Sequence, residues 1–201
     1  GGRIAIYHTT DNSNWAITAY GGITSTREGG AGTIYRKQAS QLWGNLTIDN
    51  GAKTFSSSDF NDIGRPLSTT SADTIIPTNY TFDAVIIRNY SQVRINSSLN
   101  TTTLLVSSYS SINATAHITA TNLTLHDYST LFIEPSATIN YTNFNWSTRG
   151  ALVDNGGGFA LLGASDLTIQ SEQYLFANTR RTYTNIYLNG TLWHNAPQTT
   201  K

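Results

Sequence analysis

Three stretches of this chain repeat one pattern at one interval: NYSQVRI at 89–95, SYSSINA at 108–114 and DYSTLFI at 127–133. Each copy begins 19 residues after the last, and the columns extend beyond the Tyr-Ser pair. Val85, Leu104 and Leu123 align, as do Ile87, Val106 and Leu125. Tyr90, Tyr109 and Tyr128 share a column, followed by Ser91, Ser110 and Ser129. Val93, Ile112 and Leu131 come next, then Ile95, Ala114 and Ile133. Apolar positions two apart are the strand period. Each copy is therefore two short strands separated by a polar-Tyr-Ser corner. A looser fourth copy follows at 21 residues, with Phe144, Trp146 and Leu152 in the matching columns.

Repeats of about 20 residues built from short strands imply a solenoid. Hairpins would need two-residue Asn-Gly or Asp-Gly turns and would reverse alternate copies, whereas these copies run in one sense. The fold expected is all-β: a single-stranded parallel β-helix with coils of about 19–21 residues. Stacked tyrosines 90, 109 and 128 would form a ladder, with the Val/Leu/Ile columns filling the lumen. Residues 1–201 form one solenoid domain in this reading, clearest over 82–170, with 53–80 an irregular excursion. Wound throughout, the chain would make on the order of ten coils, about 50 Å of rod. NLTI (45–48), NLTL (122–125), DLTI (166–169) and the weaker NGTL (189–192) form a second recurrence. Glycine before strand is a third, in GGRIAIY (1–7), GGAGTIY (29–35) and GGGFALL (156–162).

Composition fits. Threonine (31), serine (20) and asparagine (19) replace charge, which falls to 12% against roughly 25% in an average protein. These residues disfavour helices and suit strands and turns. Zero net formal charge offers no polybasic surface for nucleic acid. No apolar run of the 18 or more residues expected of a membrane-spanning helix is present, and no signal-peptide pattern. With no cysteine there are no disulfides, thiolate zinc sites or thiol nucleophile. The absence of an initial methionine suggests a processed chain or an excised segment.

GGRIAIY, AITAYGG (16–22), GGAGTIYRKQASQ (29–41) and GNLTIDNG (44–51) occur in that order. They resemble a module repeated in very large secreted or surface-anchored repeat proteins of microbes, where β-helix-like repeats follow it. The resemblance implies an extracellular structural or adhesive role and no reaction. The chain departs from that pattern in length, being one module where those proteins have many.

Asn-X-Ser/Thr occurs ten times, at Asn45, Asn79, Asn89, Asn96, Asn100, Asn113, Asn122, Asn140, Asn145 and Asn189. Composition alone would supply about five, so the excess points to N-linked glycans on a secreted, cell-surface glycoprotein. Asn89 is expected at a corner, Asn113 on the outward column of Arg94 and Phe132, and Asn45 and Asn122 on one face.

An enzyme of the polysaccharide-cleaving β-helix kind would need two carboxylates across a cleft. Asp154 and Asp166 come closest, and each serves equally well as a turn residue. The chain is expected to be no enzyme. His8, His117, His126 and His194 lack metal-ligand spacing, so no metal site is assigned. DNSN (11–14) and DFNDIG (59–64) are faint calcium-loop candidates, and no other cofactor is expected. Trp15, Trp43, Trp146 and Trp193 are candidate sugar platforms, with Trp146 assigned instead to the lumen. With no capping helix at either end, the open rungs should bind copies of the chain or neighbouring modules. The functional expectation is an extracellular, glycosylated, self-assembling subunit or segment of a filament or surface appendage. The alternative is a carbohydrate-binding adhesion module whose partners are surface glycans.

Overall fold

The computed structural model describes residues 2–10, 16–22, 30–51, 73–147 and 149–194. Among these the chain is nearly all strand, wound as a parallel β-solenoid. The N-terminal end holds β1 (Arg3–His8), β2 (Gly32–Gln38) and β3 (Asn45–Asp49). Short and long strands then alternate. They are β4 (Thr74–Ile76), β5 (Tyr80–Arg88), β6 (Gln92–Ile95), β7 (Leu99–Val106), β8 (Ser111–Ala114), β9 (Ile118–Leu125), β10 (Thr130–Ile133) and β11 (Thr138–Trp146). In the last coils the long strand is interrupted. The order there is β12 (Ala151–Asp154), β13 (Gly158–Phe159), a 3-10 turn over Ala160–Gly163, β14 (Asp166–Ile169), β15 (Tyr174–Ala177), β16 (Asn185–Leu188) and β17 (Thr191–His194). One sheet stacks β1-β2-β3-β5-β7-β9-β11-β13, the other β17-β15-β12-β10-β8-β6-β4, and β14 pairs with β16.

The repeat columns lie directly over one another. Val85, Leu104, Leu123 and Phe144 are register partners, as are Val93, Ile112, Leu131, Leu152 and Leu175. Nearly all are buried in one continuous core. Burying each such aliphatic side chain contributes about 1.5–3 kcal/mol. Along β7 the alternation slips at Thr102 and Thr103, which both face outward, so the strand turns a corner of the coil there. The fourth coil replaces aliphatics with rings: Phe144 meets Phe159 edge-on at 5.2 Å and lies 6.0 Å from Trp146.

Trp146 also explains why the serine column stops. A side chain at Gly150 would come within 2.9 Å of Trp146 Cδ1, and the indole N–H donates instead to the Gly150 carbonyl at 2.8 Å.

Four expectations change. Among the described residues the seven-stranded sheet gives six steps, fewer than the ten coils anticipated from length. The N-terminal unit is not wound in one sense, because β2 and β3 pair antiparallel across residues 39–44. Within the supposed excursion at 53–80, residues 53–72 lie outside the described residues, while β4 and the start of β5 are regular and paired. NGTL is no relative of NLTL: Asn189-Gly190 is a corner, and Thr191 starts β17 in the other sheet.

Ser91, Ser110 and Ser129 are fully buried at the inner side of the corner. Their environments differ. The Ser91 hydroxyl donates to the Arg88 carbonyl at 2.6 Å, whereas Ser129 Oγ has no hydrogen-bond partner. A satisfied buried hydroxyl stabilises by about 1 kcal/mol and an orphan one costs at least as much. Ser91→Ala is therefore expected to lower the urea midpoint and Ser129→Ala to raise it or leave it unchanged.

Candidate functional site

The corner is built from residues in the left-handed region. Asn89 and Tyr90 have φ of 56° and 62°, Ser108 and Tyr109 53° and 61°, Asp127 and Tyr128 57° and 61°. Each costs on the order of 1 kcal/mol outside glycine. Asn and Asp tolerate that conformation best, which accounts for the residue before two of the tyrosines. Backbone bonds between coils offset the cost: Tyr90 N–H donates to the Ser108 carbonyl at 2.9 Å, and Tyr109 N–H to that of Asp127 at 3.0 Å. The rings stack at 5.0 Å and 4.6 Å, each pair 8° from parallel. Burial pushes the Tyr109 hydroxyl pKa up, with Tyr128 and Tyr90 adding to the shift.

Charged side chains bracket the corner. Asp49 accepts from Arg88 Nε and Asn89 Nδ2 at 2.8 and 2.9 Å. At the other end Arg149, in the column where a fourth tyrosine would stand, lies 5.0 Å over the Tyr128 ring and donates to its hydroxyl. The sequence showed the ladder and not its guanidinium cap, since Arg149 breaks the Tyr-Ser pattern.

The structure sorts the ten sequons by environment. Asn79, Asn96, Asn100, Asn140, Asn145 and Asn189 are exposed, and Asn45, Asn89, Asn113 and Asn122 half-buried. Asn45 and Asn122 do share a column, running through Ala84 and Thr103. Asn113 lies between Arg94 and Phe132 as expected, but its Oδ1 is buried without a partner. Asn89 holds a corner, yet the nitrogen that would carry a glycan is engaged with Asp49.

Asp154 and Asp166 are not brought together as a pair across a cleft. Asp166 is exposed and accepts from Asn185 Nδ2 at 3.0 Å. Asp154 is fully buried and takes two hydrogen bonds from Arg181 at 2.8 Å each. Thr179 Oγ1 and Gly156 N–H add two more at 2.9 Å. The candidate calcium loops at 11–14 and 59–64, and Trp15, lie outside the described residues. Trp146 is core, while Trp43 and Trp193 are exposed.

Two hollows mark the N-terminal half. A cleft of about 600 Å³ is bordered by Arg3, Tyr7, Tyr35, Lys37, Trp43 and Tyr80. A groove of about 350 Å³ runs along the flank past Thr81, Asn100, Thr119 and Asn140. At the opposite end, all four residues of β16 are exposed. Comparison with protein-family models, curated proteins and solved structures finds no match.

Burial alone would raise the Asp154 pKa; the bonds from Arg181, Gly156 and Thr179, with the Arg181 charge, outweigh it and hold the carboxyl below the usual range. A depressed folded pKa means the carboxylate's contribution is complete above the unfolded value of about 3.9 and is lost as pH falls through the folded value. Asp154→Asn is expected to cost about 3 kcal/mol at neutral pH by leaving Arg181 uncompensated. Its thermal midpoint should also fall less than that of the wild type on acidification below about pH 4.

Proposed function

We propose that the chain is a non-enzymatic structural module of an extracellular fibre or surface appendage. It is N-glycosylated and joined end to end to copies of itself or to neighbouring modules. The observation that carries this reading is the contrast between two paired strands. Leu167 and Ile169 of β14 are fully buried, whereas their register partners Ile186 and Leu188 of β16 are 48% and 54% exposed. The same columns continue, and only the cover differs. Another coil stacked on β16 and β17 would bury Leu188 and satisfy the strand edge that is unpaired among the described residues. A parallel edge at one end and an unlike one at the other give a joint that propagates as a rod. The Tyr-Ser corner and the N-terminal resemblance are consistent with this role, and the sparse charge suits a surface carrying glycans.

Wild-type protein should form rods of fixed axial repeat by negative-stain microscopy, with mass rising with concentration in sedimentation. Leu188→Glu and Trp193→Glu should each weaken association at least tenfold. A wild type that stays monomeric up to its solubility limit would remove the reading. For the coat, glycopeptide mass spectrometry of native material should find Asn96, Asn145 and Asn189 modified. Asn89 and Asn113 should be bare. Unmodified asparagine at all ten positions counts against any glycan coat.

A further inference from the structure

We propose that the N-terminal cleft and the flank groove form one continuous site for a linear uronate-bearing oligosaccharide, its acidic sugar in the cleft. The cleft arises from a mismatch between sheets. Strands β1 and β2 extend the long-strand sheet past β3, while the other sheet stops at β4. No strand among the described residues faces β1 and β2 from the opposite sheet.

The wall beneath this overhang is aromatic. Tyr7 meets Tyr35 edge-on at 5.8 Å, Tyr35 lies 6.1 Å from Phe82, and Phe82 5.6 Å from Tyr80. The Tyr35 hydroxyl donates to the Trp43 carbonyl, fixing the ring beside a half-exposed indole. Flat rings flanked by hydroxyls suit a sugar, which has C–H faces and a polar rim. Arg3 and Lys37 also border the cleft; among the described residues no carboxylate lines either hollow, and Asp83 beside it is taken up by the Trp43 and Gly44 N–H groups at 3.4 and 2.8 Å. That balance favours a ligand with negative charge.

The groove adds length. Trp43, Thr81 and Phe82 border both hollows, so the two adjoin. From there Thr81, Asn100, Thr119 and Asn140 follow in register, one per coil, at about 4.8 Å spacing. Such a file of uncharged donors and acceptors fits a chain laid along the rod. The site does not depend on the exposed side chains of β16 and β17 on which the end-to-end reading rests. It does require Asn79, Asn100 and Asn140, which line it, to be free of glycan.

The test is calorimetry on the full chain made in a bacterial host, which leaves these asparagines bare. Hexamers of galacturonate and of guluronate, digalacturonate and neutral cellohexaose are the probes. At least one uronate hexamer should bind at least tenfold more tightly than digalacturonate and than cellohexaose. Trp43→Ala and Arg3→Glu should each weaken dimer and hexamer at least tenfold. Thr119→Glu, which sets a like charge in the groove beyond the cleft, should abolish the hexamer's advantage and leave the dimer unaffected. Circular dichroism and the thermal midpoint check that each variant is folded. The proposal is overturned by no binding of either uronate hexamer, by equal binding of cellohexaose, or by a hexamer advantage that survives Thr119→Glu. Native material carrying a glycan at Asn79, Asn100 or Asn140 overturns it equally.

Discussion

Every coil of this protein satisfies its backbone through the coils above and below, and hardly at all through itself. Tyr90 N–H reaches the Ser108 carbonyl, Ser111 N–H the Ser91 carbonyl and Thr130 N–H the Ser110 carbonyl, so the ladder runs through corners as well as strands. Side chains must then lie over their counterparts, one rung apart. That demand selects residues that gain from stacking on their own kind. Aliphatic columns do so by excluding water, and the tyrosine column by parallel rings at 5.0 and 4.6 Å. Ring pairs of this sort contribute about 0.5–1.5 kcal/mol beyond their burial, comparable to the cost of holding each tyrosine in the left-handed region.

What repeats was legible in the sequence; what happens once was not. The 19-residue interval displayed the Val, Ile, Tyr and Ser columns because each is restated on successive rungs. The antiparallel turn between β2 and β3 occurs once and uses the same alternating apolar residues as a parallel rung, so periodicity could not separate them. The Asp154–Arg181 pair is likewise singular, set by a loop that returns 27 residues later to a buried carboxylate. The cleft was invisible for a different reason. It is made where one sheet runs two strands past the other at the N-terminal end, a property of no local stretch. The groove was half visible: its Thr and Asn are plain in the sequence, but which of them point outward depends on the slip at Thr102 and Thr103.

Coil length is less constrained than coil register. Ile112 to Leu131 is 19 residues, Leu131 to Leu152 is 21 and Leu152 to Leu175 is 23, yet all four remain register partners. The added residues leave the strands rather than shifting them. Part of the longest coil is taken up by the 3-10 turn over Ala160–Gly163, between β13 and β14. A one-residue slip inside a strand would turn its whole lumen set outward, whereas an inserted turn costs only local chain entropy. Selection on such a fold therefore acts on parity within strands and tolerates growth at their junctions.

The two ends of a parallel coil are unlike in any case, and the reversal at β2 adds to the difference. Because β2 runs against β3 and β1 runs with β2, the edge presented by β1 is opposite in strand direction to the coils behind it. At the other end β17 runs with β15, and the edge keeps the direction of the coils. A contact between like ends would be two-fold symmetric and would close at two copies. A contact between unlike ends is heterologous, and with a straight coil axis it has no rotation to close on. The overhang of β1 and β2 adds a second asymmetry, since it shelters a cleft at one end, while at the other Leu188 is exposed. Any rod built from this module by unlike contacts would thus be polar, with its clefts repeated at the module length and all facing the same way.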